Sequence, residues 1–170
     1  MSSQLTGPRE DRDLKVLAFA RSEVFARTFR EGMDLVESTA SYLDGDGRED
    51  AKLLGRQASL AYASASMRIT TQLMQLASWL LVLRAVREGD MEIEDAREAK
   101  YRLPPVKAAL GDLDLSETPA QLLSLKDEAE RLYERVARID DDLFAQRPFE
   151  STSNDAASQL RSLREAFGDA

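Results

Sequence analysis

Residues 118–144 read TPAQLLSLKDEAERLYERVARIDDDLF, and this stretch decides the fold class. Leu122, Leu125, Ala129, Leu132, Val136, Ile139 and Leu143 recur at alternating steps of three and four. Such a rhythm keeps one narrow apolar seam on an α-helix that packs in a left-handed bundle. Thr118-Pro119-Ala120-Gln121 reads as its start. Thr suits the N-cap, Pro the first helical position, and Gln three residues after the cap completes a capping box. Pro148 follows its end near Phe144.

Working back along the chain, a second helical pattern runs from about Arg48 to Glu88 and closes at Gly89. No charge occurs from Ile69 to Leu83. At about 100° per residue this helix shows two apolar stripes. One holds Leu54, Ala58, Tyr62, Ala65, Ile69, Leu73, Leu76, Leu80 and Leu83. The other, roughly opposite, holds Leu60, Met67, Met74 and Leu81 at seven-residue spacing. The first stripe suits the internal core. The second needs the wide wrap of neighbouring helices, the cover of a loop, or a second subunit, and a two-fold interface there would centre on Met67 and Met74. Trp79, Val82 and Val86 form a third apolar edge, expected to receive a partner. Methionine-rich apolar surface adapts to several partners.

A first helix is expected from about Asp13 to Leu43. Its stripe is Leu14, Leu17, Ala18, Val24, Phe25, Phe29, Gly32, Leu35, Val36, Thr39 and Leu43. Gly32 interrupts the stripe where a missing Cβ admits a neighbouring helix closely. Arg21 also falls on it, a sign of a bundle end or a later start. Asp44-Gly45-Asp46-Gly47 is read as the stop, with Gly supplying positive φ. The expected architecture is all-α: an antiparallel up-down-up three-helix bundle over 13–144 with a long loop at 89–118, a flexible arm at 1–12 and a flexible tail at 145–170. Within the loop, Met91 to Arg102 has room for two or three helical turns before Pro104-Pro105. In the tail, Leu160, Leu163 and Phe167 suit a short amphipathic helix.

The 170-residue chain has no Cys and no His. That removes thiol nucleophiles, thiolate metal sites, imidazole bases and the Glu-x-x-His pairs of di-metal bundles. Asp44-Gly45-Asp46-Gly47 lacks the later oxygen ligands of a calcium loop, because Arg48 and Gly55 occupy those places. No Gly-Lys-Ser/Thr makes it a phosphate loop. Asp140-Asp141-Asp142 is read as a solvated helix end. No spacing singles out a catalytic carboxylate pair, so no catalytic, cofactor-binding or metal residue is assigned. A net charge of −8 disfavours a nucleic-acid backbone as partner. Arg56, Arg68, Arg84 and Arg87 are spread too widely around the second helix to form a positive stripe. The polar start and the lack of an apolar run of about 20 residues predict no signal peptide, no membrane span and a cytoplasmic location.

The stretch from Thr28 to Met91 resembles the alphaproteobacterial RcdA family, the regulators of CtrA degradation. The blocks Tyr42-Leu43-Asp44-Gly45, Ser66-Met67-Arg68 and Ala77-Ser78-Trp79-Leu80-Leu81 carry the likeness. It is firm over the first two helices, looser over the third, and does not extend to the loop and tail. The resemblance implies a dimeric three-helix bundle that acts as an accessory adaptor. Such a protein helps the ATP-dependent protease ClpXP degrade cell-cycle regulators. It tethers cargo to a primed protease beside other adaptors, one of which responds to cyclic di-GMP. In the family's type member a flexible C-terminal tail is part of that function, and a cell pole is a narrower expected location. The alternative reading is a helical, dimeric regulatory protein with a different partner, with DNA binding less favoured.

Overall fold

Gly7-Pro8 begins a helix instead of closing an arm. The structure, a computed structural model, describes residues 7–105 and 114–145. Pro8 stands at the first turn of α1 (Pro8–Ala20), so residues 8–12, expected in the arm, are helical. Residues 1–6, part of the long loop and the tail with its expected short helix lie outside the described residues.

The single first helix expected from Asp13 to Leu43 is two helices. Ser22 adopts an extended backbone between α1 and α2 (Glu23–Asp44). Its hydroxyl donates to the Phe19 carbonyl (2.6 Å) and accepts from the Phe25 amide (3.1 Å). One serine therefore satisfies both a terminal carbonyl and a terminal N–H. Arg21 falls in this break and is exposed, which explains its place on an apolar stripe.

A break at residues 53–55 divides the expected second helix into a short and a long one. α3 spans Asp46–Lys52 and α4 spans Arg56–Glu88. Gly45 has φ −112°, so the turn before α3 uses no left-handed glycine. Gly47 serves by close approach: a Cβ there would lie 2.7 Å from the Tyr42 carbonyl and 2.7 Å from the Tyr62 hydroxyl. Gly89 does adopt φ +81° and ends α4 as the sequence predicts. The connection then forms α5 (Ile93–Ala96) and a 3-10 turn at Ala99–Tyr101. α6 runs Ala120–Phe144. The expected capping box is absent, since Pro119 is the N-cap and the buried Thr118 hydroxyl has no partner.

All the described elements are helices, and α2, α4 and α6 pack pairwise around one core. Gly32 meets Leu80, since a Cβ there would come within 2.6 Å of Leu80 Cδ1. Arg84 lies over Phe29 (5.6 Å), while Gly47 approaches Tyr62. α2 and α4 are therefore antiparallel. On α6, Glu130 pairs with Arg68 (3.4 Å), Tyr133 with Gln75 (3.2 Å) and Asp140 with Trp79 (2.7 Å). Position rises on both helices together, so α4 and α6 are parallel. The order is up-down-down, which corrects the expected up-down-up. The reason is the connection after Gly89: about thirty residues at ~3.3 Å each easily retrace the ~50 Å of α4. α1 crosses near the C-terminal part of α4, with the Phe19 ring 6.3 Å from Trp79.

The first stripe of α4 and the seam of α6 supply the core as expected. Ile69, Leu76, Leu80, Leu83, Leu122, Leu132 and Val136 are almost fully buried. Each such side chain contributes about 1.5–3 kcal/mol relative to exposure. Among the described residues, α4 alone is long and apolar enough to cross a membrane, with an 18-residue window of mean hydropathy 1.3. The sequence reading expected no such segment. Half of that window is buried within the protein.

Candidate interaction surface

The second stripe of α4 stays uncovered in the single chain. Leu60 is 56% exposed, Met67 72%, Met74 70% and Leu81 51%. α2 and α6 occupy the other side of the helix, because both anchor on the first stripe. Ala63, Thr70, Thr71 and Ser78 fill the exposed face between these four, so it carries no charge from Leu60 to Leu81.

Grooves flank the stripe on both sides. Toward α2, a groove of about 300 Å³ is walled by Val36, Ala40, Leu43, Leu73, Met74 and Ala77. Toward the connection, a second of about 550 Å³ is walled by Met74, Ser78, Tyr101, Leu103, Pro104 and Pro105. Met74 borders both. The groove toward α2 offers mainly apolar contact, whereas the second also presents Gln75, Lys100 and Arg102, an apolar strip with a polar rim that suits a protein partner.

The third edge is corrected. Trp79 is 1% exposed, and Val82 and Val86 are buried too, so none of the three is placed to receive a partner. Their cover is the connection after α4 together with α1. Val82 and Val86 pack with Ala96, bordered by Leu17, Met91, Ile93 and Tyr101. Local pattern allows helical turns between Met91 and Arg102 but does not mark them as cover for Trp79, Val82 and Val86, so this face reads as bare from sequence.

Asp140 fixes that cover in place. Its carboxylate accepts from Trp79 Nε1 (2.7 Å), Arg102 Nη1 (2.5 Å) and, at 3.4 Å, the Leu103 amide. Arg102 also donates to the Ala96 carbonyl (2.6 Å) and lies 3.5 Å over the Phe144 ring. Tyr133 donates to the Pro104 carbonyl (2.6 Å). Arg97 adds an ion pair to Asp13 of α1. Burial pushes the Asp140 carboxyl above its ordinary pKa, against the opposing pull of Trp79, Arg102 and the Leu103 amide. Burial likewise lowers Arg102, against the pull of Asp140. Asp140 is thus no solvated helix end. The signal in the sequence was slight: Tyr133 and Asp140 are seven residues apart, beside the α6 seam.

Several charged groups nearby are already paired. Asp140, though shifted, has its oxygens taken by donors and faces no open pocket. Arg68 pairs with Glu130 and Arg84 with Glu88. A groove of about 600 Å³ between α2 and α6 mixes Arg27, Arg30 and Arg131 with Asp34 and Glu128, giving no field of one sign. Among the described residues, no three acidic side chains cluster as metal ligands.

A family model described as a protein of unknown function, DUF1465, matches residues 17–167. No curated protein matches the chain. The crystal structure of RcdA from Caulobacter crescentus CB15 is 50% identical, with a TM-score of 0.64. The match covers 77% of this chain and 99% of that one. Half-identity along nearly the whole of that protein leaves one assignment: the chain belongs to the RcdA family.

Proposed function

We propose that this chain is a non-catalytic adaptor that helps deliver cell-cycle regulatory proteins to the protease ClpXP, and that it works as a homodimer. The observation that carries this reading is the uncharged, exposed stripe of α4, held on a rigid helix and bordered by two grooves. An adaptor needs recognition surface and a stable scaffold, and no reactive side chain. Membership of the RcdA family supports a role in controlling the lifetime of a regulator such as CtrA. The absence of His and Cys fits a function without imidazole or thiol chemistry. Its partners are a second copy of itself, the protease, other adaptors and cargo, in the cytoplasm.

The test is replacement. In Caulobacter crescentus cells lacking RcdA, this chain expressed in its stead should restore rapid loss of CtrA. With purified ClpXP, a primed cargo and the companion adaptors, it should raise the rate of cargo loss. A folded chain that leaves CtrA stable and cargo degradation unchanged overturns the adaptor reading.

A further inference from the structure

We infer that the connection from Met91 to Pro105 is a strap that opens as a unit while the bundle stays folded, uncovering Val82 and Val86. The contrast in how the two parts are held carries the inference. α2, α4 and α6 share one continuous core of large apolar side chains. The strap contributes a single fully buried residue, Ala96, which packs with Val82 and Val86 in a separate small cluster. Met91, Ile93, Tyr101 and Leu103 are only half-buried. Its regular structure is one four-residue helix and one 3-10 turn, too short to persist away from the bundle.

Polar contacts hold the strap instead. Arg102 reaches Asp140 of α6 (2.5 Å), and Tyr133 of α6 donates to the Pro104 carbonyl (2.6 Å). Arg97 pairs with Asp13 of α1, and Glu94 with Arg9 of α1 (2.5 Å). Each of these groups exchanges its partner for water on release. The closed form is also strained electrostatically. The guanidinium groups of Arg97 and Arg102 both lie over the Phe144 ring, at 5.9 and 3.5 Å, so two like charges share one site. The Nε of each is buried with no hydrogen-bond partner among the described residues. Opening returns both donors to water. A segment with little buried apolar surface and such anchors belongs at the low end of local stability.

Opening reshapes the surface beside the exposed stripe. Tyr101, Leu103, Pro104 and Pro105 wall the groove whose other side is Met74 and Ser78. With the strap away that wall is gone, and the apolar face extends around α4 to Val82 and Val86. Trp79 stays in the main core. α4 therefore presents a narrow apolar face when the strap is latched and a wide one when it is open. The opening is independent of the adaptor reading, and only its use in recognition rests on it.

The chain lacks cysteine, so one introduced thiol reports on its own surroundings. Val86→Cys places it under the strap, and Val136→Cys, the same exchange in the main core, is the reference. In the full chain without denaturant, a maleimide should modify Val86→Cys at least ~100-fold faster than Val136→Cys, with little dependence on dilute urea, because a small opening exposes little surface. Adding Arg102→Met, which keeps an apolar stem over Phe144 but loses the donors, should speed modification of Val86→Cys by ~10-fold or more. Adding Ile69→Val weakens the main core alone, so it should speed Val136→Cys several-fold and leave Val86→Cys unchanged. Equal rates and equal urea slopes at the two thiols, both moved together by Ile69→Val, mean that the strap opens only when the bundle unfolds, and overturn the inference. An unchanged Val86→Cys rate with Arg102→Met overturns the latch. If either cysteine variant fails to fold, amide exchange in the unmodified chain decides. The hydrogen-bonded amides of Ala96, Arg97, Tyr101 and Arg102 should exchange together, at least ~100-fold ahead of Leu76 and Leu80 in α4. Equal protection in strap and bundle overturns the inference.

Discussion

Asp140 is a buried polar side chain that joins three segments of the chain. Trp79 comes from α4, Arg102 and Leu103 from the connection, and Asp140 from α6. Asp140→Ala leaves Trp79 Nε1 and Arg102 without their acceptor, and should cost about 3 kcal/mol in urea unfolding. Asp140→Asn keeps an acceptor oxygen and should cost distinctly less. The two variants also share a pH signature. Burial holds the native carboxyl above its unfolded pKa of about 3.9, so the native state binds the proton more tightly. The contribution of Asp140 is then fully present below the unfolded pKa and falls as pH rises through the native one. Stability of the wild type relative to Asp140→Asn should decline with pH across that window. A flat or rising difference would contradict the assigned shift. Gly47 offers a second test, since a Cβ there meets backbone that cannot swing aside. Gly47→Ala should destabilise by about 2 kcal/mol despite its better helix propensity.

The elements show why some of this was legible and some was not. The α6 seam, the core stripe of α4 and the stop at Gly89 are local periodic or punctuating signals, and each survives folding unchanged. The break at Ser22 was hidden because serine at an extended position leaves the apolar rhythm nearly intact on both sides. The direction of α6 was unreadable for a different reason. Direction depends on the path of a connection whose described residues form one turn of α-helix and a 3-10 turn. The burial of Trp79, Val82 and Val86 follows from the same connection, and its anchor Asp140 lies 38 residues from Arg102 and 61 from Trp79. No window of local pattern spans such distances. Trp79→Ala should accordingly behave as a core deletion, costing about 4 kcal/mol. Thermal melts followed by circular dichroism would register it. A normally stable Trp79→Ala chain with impaired partner binding would restore the discarded assignment of that edge.

At the scale of the whole molecule, one face of one helix carries the expected assembly, and a single charge should undo it. Met74 is 70% exposed in the isolated chain, so Met74→Glu places its carboxylate in water when the chain is alone. Glu is as good a helix former as Met, and the monomer should keep its melting temperature within about 2 °C. In the dimer the same carboxylate would lie against apolar side chains with no cation opposite. Desolvation of each dominates, and a loss of about 3 kcal/mol raises the dimer Kd about 100-fold. Because desolvation is not screened, the loss should persist at 0.5 M salt, where simple repulsion would fade. Val24→Glu provides the control. Val24 is also an exposed apolar residue, but it lies on the first turn of α2, and the change leaves the α4 stripe intact. Sedimentation should show Met74→Glu as a folded monomer at concentrations where the wild type and Val24→Glu are dimers. Equal dimer affinity in all three would place the interface off this stripe. An unfolded Met74→Glu chain would mean that Met74 belongs to the core of the monomer.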